Sequence, residues 1–131
     1  KKLFNFGKNL GTAFQLTDDA LDYEGSSSKM GKNNGDDFYD GKVTLPVILA
    51  MKNANKKEKD FWKKTFDKKV RNKTDLGIAK KIIRDKDTIN QTLKLANKYG
   101  EKAKYIMKDF ENNPIRNALI DLVDFSLIRN H

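Results

Sequence analysis

The chain of 131 residues contains no cysteine and only one histidine, His131, at its last position. Without cysteine it can form neither a disulfide nor a thiolate metal site, and a reducing compartment suits it. A single terminal histidine also leaves no Ser/His/Asp or Cys/His set for nucleophilic catalysis. Any metal site in this sequence must therefore be built from oxygen ligands.

Long apolar runs are missing too, since none approaches the roughly 18 residues that a membrane span requires. No secretory signal with an apolar central region is visible. We therefore expect a soluble, cytoplasmic protein without a transmembrane segment.

The charge is strongly one-sided, with a formal net charge of +9 that comes almost entirely from lysine. A nucleic-acid-binding module is one alternative that this charge raises. Such a surface needs aromatic side chains among the basic ones, but Phe61, Trp62 and Phe66 are predicted to lie in the core. We interpret the lysines as solvated helix faces and expect no nucleic-acid partner.

Only two prolines, few β-branched runs and apolar residues spaced three and four apart predict an all-α helical bundle. Gly7 and Gly11 lie one turn apart in the first predicted helix, which indicates close approach of a neighbouring helix. A glycine-rich loop is expected over 25–42, and Thr44 is expected to cap the next helix. The predicted helices are 3–24, a short one after Thr44, 56–69, 75–85, 87–111 and a last one after Pro114, with Ile115, Leu119, Leu122, Val123 and Leu127 buried.

Three carboxylates stand where the first helix is about to end. Asp18 and Asp22 are four residues apart and share a face, while Asp19 is rotated by about 100° around the helix. Like charges repel at this spacing, and the C-terminal end of a helix dipole disfavours anions. Because carboxylates are hard oxygen ligands, the motif predicts a Mg²⁺ site.

Two lysines follow in glycine-containing segments, Lys32 after Gly31 and Lys42 after Gly41. Each lysine alone could be an ordinary surface residue. Beside a magnesium-binding carboxylate set, both could bind phosphate oxygens as point charges. No phosphate-binding loop of the nucleotide type is present. The residues therefore predict a Mg²⁺-dependent diphosphate site on a helical bundle.

The stretch from Gly7 to Pro46 resembles the second aspartate-rich region of trans-polyprenyl diphosphate synthases. The matching positions are Phe14, Gln15, Asp18, Asp19, Asp22, Gly31, Lys32, Gly35, Asp37, Gly41, Lys42, Thr44, Leu45 and Pro46. The sequence from Gly31 to Pro46 looks most like that of the long-chain members of the family, of the octaprenyl or decaprenyl type. Residues 47–131 resemble the C-terminal helices of the family only loosely.

The resemblance implies an all-α isoprenoid-synthase bundle that is normally a homodimer. Such enzymes ionise an allylic diphosphate, add the carbocation to isopentenyl diphosphate and release pyrophosphate. By this similarity Asp18 would bind Mg²⁺ directly, with Asp19 and Asp22 as further or water-mediated ligands. Lys32 would bind the allylic diphosphate and Lys42 would assist from the loop. Gln15 would help to orient the site.

The family also needs a first aspartate-rich motif on an opposing helix and basic residues for isopentenyl diphosphate. Neither is found here; Asp36, Asp37 and Asp40 have a similar spacing but belong to the loop. We therefore expect residues 1–131 to be the C-terminal part of a single synthase domain, with half of its active site and no activity alone. A non-catalytic subunit of a heteromeric synthase and a basic helical nucleic-acid-binding module are the remaining alternatives.

Overall fold

The computed structural model describes residues 1–24 and 35–128, and in these ranges all regular structure is helical. The all-α prediction is therefore confirmed. The helices are α1 (Lys2–Leu21), α2 (Asp36–Tyr39), α3 (Leu45–Lys52), α4 (Lys56–Asp67), α5 (Lys73–Asp85), α6 (Thr88–Met107) and α7 (Pro114–Ile128). Within the described ranges, no helix is both long enough and apolar enough to cross a membrane.

The chain divides into two compact units, with borders inside α1 and α6. The terminal unit consists of residues 1–18 together with those from 93 onward. Its core contains Phe6, Ala103, Met107 and Val123. Gly100 lets α7 approach α6, because a Cβ atom there would lie 2.6 Å from Cδ1 of Leu127.

Three predictions for the terminal unit are wrong within the described residues. Ile115 and Leu122 were expected in the core, but their exposed fractions are 72% and 45%. Gly7 and Gly11 were expected at a close helix contact, yet a Cβ atom at either would meet nothing within 4 Å in the described chain. An apolar pattern identifies which residues could be covered, but not whether a neighbour covers them.

The central unit consists of residues 19–92. In it α3 packs against α4 and α5. Its buried core is formed by Tyr23, Phe38, Val47, Ala50, Trp62, Leu76, Ala79 and Ile83. Phe61 and Phe66 pack against this cluster, so the expectation that these aromatic residues belong to the core is confirmed.

Helix starts in the central unit are set by local capping. Asn55 and Glu58 form a capping box at the start of α4, and Asn72 and Asp75 form another at the start of α5. Thr44 precedes α3 as predicted, although its side chain makes no capping hydrogen bond. α5 begins at Lys73, two residues before the predicted start, because Asn72 is the capping residue.

Helix ends differ more from the prediction. α1 ends at Leu21 rather than at 24, and Tyr23 and Glu24 continue it only as turns, with N–H groups donating to Ala20 and Leu21. α6 ends at Met107 rather than at 111. The segment expected to be entirely loop contains α2, a helix of four residues that has too little periodicity to be recognised in sequence.

Candidate diphosphate and metal site

The three carboxylates of the aspartate motif differ in burial. Asp18 is half-buried on α1, whereas Asp19 and Asp22 are 8% and 1% exposed. Asp22 stands directly after the helix, in the turn that follows Leu21. The motif therefore joins one partly accessible carboxylate to two buried ones.

Asp22 is hydrogen-bonded to Gly35 and Asp37, at the start of α2. Its Oδ2 accepts a hydrogen bond from the N–H of Asp37 over 2.9 Å, and its backbone carbonyl accepts one from Gly35 over 2.8 Å. Gly35 has a φ of 92°, and a Cβ atom there would lie 2.6 Å from Leu76. The chain therefore returns to the end of α1 immediately after residues 25–34.

Phe38 fixes α2 in the core of the central unit. Its ring is fully buried and makes edge contacts with Tyr23 and Phe66, with centroids 6.5 Å and 5.6 Å away. Such aromatic pairs add about 0.5–1.5 kcal/mol beyond the area they bury. Phe38 therefore anchors the four-residue helix that carries Asp37.

Lys42 lies beside this acidic group. Its N–H donates to the carbonyl of Asp37 over 2.8 Å, and its Nζ is 3.8 Å from Oδ1 of Asp37. The Lys42 side chain is 65% exposed while that of Asp37 is 13% exposed. An ion pair this open is weak, so the ammonium can turn towards an anionic ligand at little cost.

Tyr23 is a buried neighbour of the same carboxylates that the sequence did not single out. Burial raises the pKa of its phenol, and the negative charges of Asp22, Asp37 and Asp19 raise this pKa further. Its hydroxyl has no hydrogen-bond partner among the described residues. Tyr23 therefore stays neutral and keeps its proton as a hydrogen-bond donor.

The predicted metal ligands fit Mg²⁺ in chemistry but do not form a ready-made cage. Residues 1–24 and 35–128 contain no cluster of three His, Cys, Asp or Glu side chains close enough to hold a metal ion together. Mg²⁺ characteristically takes one or two protein carboxylates and completes its shell with water and phosphate oxygens. Asp18, Asp19 and Asp22 supply carboxylates of this kind, and their role as ligands stays a prediction.

Two other site residues were predicted, Gln15 and Lys32. Gln15 is exposed on α1, and its expected role stays a prediction. Lys32 and Gly31 lie outside the described residues, so the expected role of Lys32 stays a prediction.

Asp37 appeared in the sequence only as a matching position, and its link to Asp22 spans 15 residues that no local pattern connects.

Residues 1–85 match the family described as polyprenyl synthetase. The chain belongs to this family. The octaprenyl diphosphate synthase of Haemophilus influenzae is 33% identical to it over 132 residues. The resemblance found in the aspartate and glycine-lysine motifs is thereby confirmed.

Solved structures agree with the sequence relatives. The polyprenyl synthase of Caulobacter crescentus, determined with calcium and isoprenyl diphosphate, matches 99% of this chain with a TM-score of 0.90 and 41% identity. A decaprenyl diphosphate synthase from Rhodobacter capsulatus matches 98% with a TM-score of 0.85 and 34% identity. The fold is that of the polyprenyl synthases.

The match covers only part of each relative. The match to the Haemophilus protein spans the whole of this chain but only 40% of that protein. The matches to the two solved structures cover 40% and 38% of those chains.

Proposed function

We propose that this chain is the part of a trans-polyprenyl diphosphate synthase that carries its second aspartate-rich motif. The enzyme would lengthen an allylic diphosphate by condensation with isopentenyl diphosphate and release pyrophosphate. The observation that carries the proposal is the Asp22–Asp37–Lys42 arrangement at the end of α1. It joins buried carboxylates to an exposed ammonium, in a chain that belongs to the polyprenyl synthetase family.

The proposed role of each residue follows from how accessible its side chain is. Asp18 would bind Mg²⁺ directly, and Asp19 and Asp22 would act as further or water-mediated ligands. Mg²⁺, when bound, would stabilise the negative charge that develops on the departing diphosphate. Lys42 would contribute a positive charge from the loop.

Asp22 would have a second task. Its Oδ2 accepts the N–H of Asp37, so it would hold α2 in place as well as take part in the metal shell. Lys32 would bind the allylic diphosphate, and Gln15 would help to orient the site.

We further propose that these residues form one half of an active site whose other carboxylates come from a first aspartate-rich motif. The octaprenyl and decaprenyl relatives favour a long-chain product. A homodimer in the cytoplasm is the assembly and location that the family resemblance and the sequence predict.

The test compares the natural protein that carries these residues with the 131 residues alone. Each is incubated with geranylgeranyl diphosphate, labelled isopentenyl diphosphate and Mg²⁺, and lengthened products are separated by chromatography. We expect turnover by the natural protein and none by the 131 residues. Turnover by the 131 residues alone would contradict the half-site proposal. Activity that appears only when a second subunit is added, and that is unchanged by Asp18→Asn in this chain, would instead identify a non-catalytic subunit.

A further inference from the structure

Arg71 is a buried cation that the proposed site does not use. It lies in the connection between α4 and α5 and is only 8% exposed. A buried guanidinium is costly unless its N–H groups are hydrogen-bonded. One terminal nitrogen donates to the carbonyls of Lys68 over 2.7 Å and Thr65 over 3.2 Å, and the other to the carbonyl of Tyr39 over 3.4 Å. Arg71 therefore joins the end of α4 to the last residue of α2.

The connection that carries Arg71 is itself firmly held. The Lys68 ammonium donates to both carboxylate oxygens of Asp75, over 2.9 Å and 3.0 Å. Asp75 also accepts the N–H of Asn72 in the capping box of α5. This hydrogen bond, followed by the contact with Lys68, lowers the pKa of Asp75. The backbone that carries Arg71 is therefore held on both sides, by Lys68 before it and by Asn72 after it.

The guanidinium also lies directly against the backbone of Gly41. Gly41 has a φ of 78°, and a Cβ atom there would lie 2.9 Å from a terminal nitrogen of Arg71. Glycine is needed at this position for its conformation and for the space that Arg71 occupies. The next residue is Lys42, whose N–H donates to the carbonyl of Asp37. Arg71 thus contacts the short segment 39–42 at the carbonyl of Tyr39 and at Gly41, while Asp37 holds it at Lys42.

We propose that Arg71 is a positioning residue that fixes the backbone of residues 39–42 and so sets where the Lys42 ammonium meets a diphosphate. The inference rests on the proposed function, because it assigns Lys42 a diphosphate ligand. Arg71 does not reach that ligand itself, and its effect passes through the carbonyl of Tyr39 and the close contact with Gly41. A lysine at position 71 would keep the charge but lose the fork that bonds several carbonyls at once.

The experiment is a double-mutant cycle in the natural protein, with inorganic pyrophosphate and Mg²⁺ as the probe and the dissociation constant measured by calorimetry. We expect Lys42→Met to weaken binding about tenfold, as for loss of one charge-assisted hydrogen bond. Arg71→Met should weaken it several-fold in the wild-type background. It should add almost nothing in the Lys42→Met background. Arg71→Lys should resemble Arg71→Met, whereas Arg84→Met, at an exposed arginine of α5, should leave binding unchanged.

Thermal unfolding separates positioning from general stability. Arg71→Met should lower the melting temperature equally in both backgrounds, while its effect on binding disappears in one of them. If Arg71→Met does not fold, Arg71→Lys carries the same comparison. Equal weakening by the Arg71 variant with and without Lys42 would overturn the inference and leave the proposed function intact. Unchanged binding by Lys42→Met would overturn both the role of Lys42 and the inference.

Discussion

The N–H of Asp37 donates to Oδ2 of Asp22, 15 residues earlier in the chain, over 2.9 Å. This bond joins α2 to the turn that follows α1. Asp22 is 1% exposed, so its contact with Asp37 is shielded from water and strong for a charge-assisted hydrogen bond. The third carboxylate of the motif is thus a structural tether as well as a candidate metal ligand.

Replacing Asp22 separates these two tasks. Asp22→Asn keeps an oxygen that can accept the Asp37 N–H, whereas Asp22→Ala removes it. Loss of a hydrogen bond to a charged group costs about 1.5–3 kcal/mol, so the Asp37 amide should exchange its hydrogen at least tenfold faster in the alanine variant. The asparagine variant should retain most of the protection. Hydrogen exchange followed by NMR measures both, with Asp60→Ala, at an exposed residue of α4, as the control. Equal exchange in all variants would disprove the tether.

Phe38 should be the main anchor of α2. Truncation of a fully buried phenylalanine costs about 3–5 kcal/mol, and Phe38 is 0% exposed. We expect Phe38→Ala to lower the free energy of unfolding of the natural protein by that amount in urea titrations. Val70→Ala, at a side chain that is 78% exposed, should change it by no more than about 0.5 kcal/mol. A loss below about 1 kcal/mol for Phe38→Ala would mean that α2 does not depend on this ring.

Two helical glycines should respond to alanine with opposite signs. At Gly77 a Cβ atom meets nothing within 4 Å, so Gly77→Ala should stabilise by up to about 1 kcal/mol through helix propensity. At Gly100 a Cβ atom would lie 2.6 Å from Leu127. Overpacking of this kind costs about 1–3 kcal/mol, which outweighs the propensity gain. Urea titration should therefore show Gly100→Ala as destabilising, and an equal gain for both variants would show that Leu127 moves aside freely.

Asp75 should make stability depend on acid pH. Its pKa is lowered by the Asn72 N–H and then by Lys68, so its stabilising effect is complete above the unfolded-state pKa of about 3.9. The effect is lost as pH falls through the lowered folded-state pKa. The difference in unfolding free energy between wild type and Asp75→Asn should therefore be larger at about pH 7 than at about pH 2. A difference independent of pH would contradict this account, and Asp60→Asn serves as the exposed control.

Sequence patterns predicted most of this molecule because most of it is decided locally. Apolar spacing located α3 to α7, and motif spacing singled out the aspartates and Lys42 as site residues, which stays a prediction. Helix ends were less accurate because they depend on single capping residues such as Asn72. The roles of Arg71 and Asp37 could not be predicted, since each depends on partners distant in sequence, Tyr39 for Arg71 and Asp22 for Asp37. The predicted burial of Ile115 and Leu122 was wrong because an apolar pattern does not show whether a neighbouring residue covers these side chains.

The central claim is that Asp18 binds the Mg²⁺ that prenyl transfer requires. Its most direct test measures turnover of geranylgeranyl diphosphate and isopentenyl diphosphate by the natural protein as Mg²⁺ is titrated. Asp18→Asn should lower kcat at least a hundredfold, as expected for loss of about 2.7 kcal/mol or more of transition-state stabilisation, and should raise the Mg²⁺ concentration needed for half-maximal rate. Asp85→Asn, at an exposed carboxylate, should change neither value. Turnover by Asp18→Asn with wild-type kcat and Mg²⁺ dependence would contradict the account.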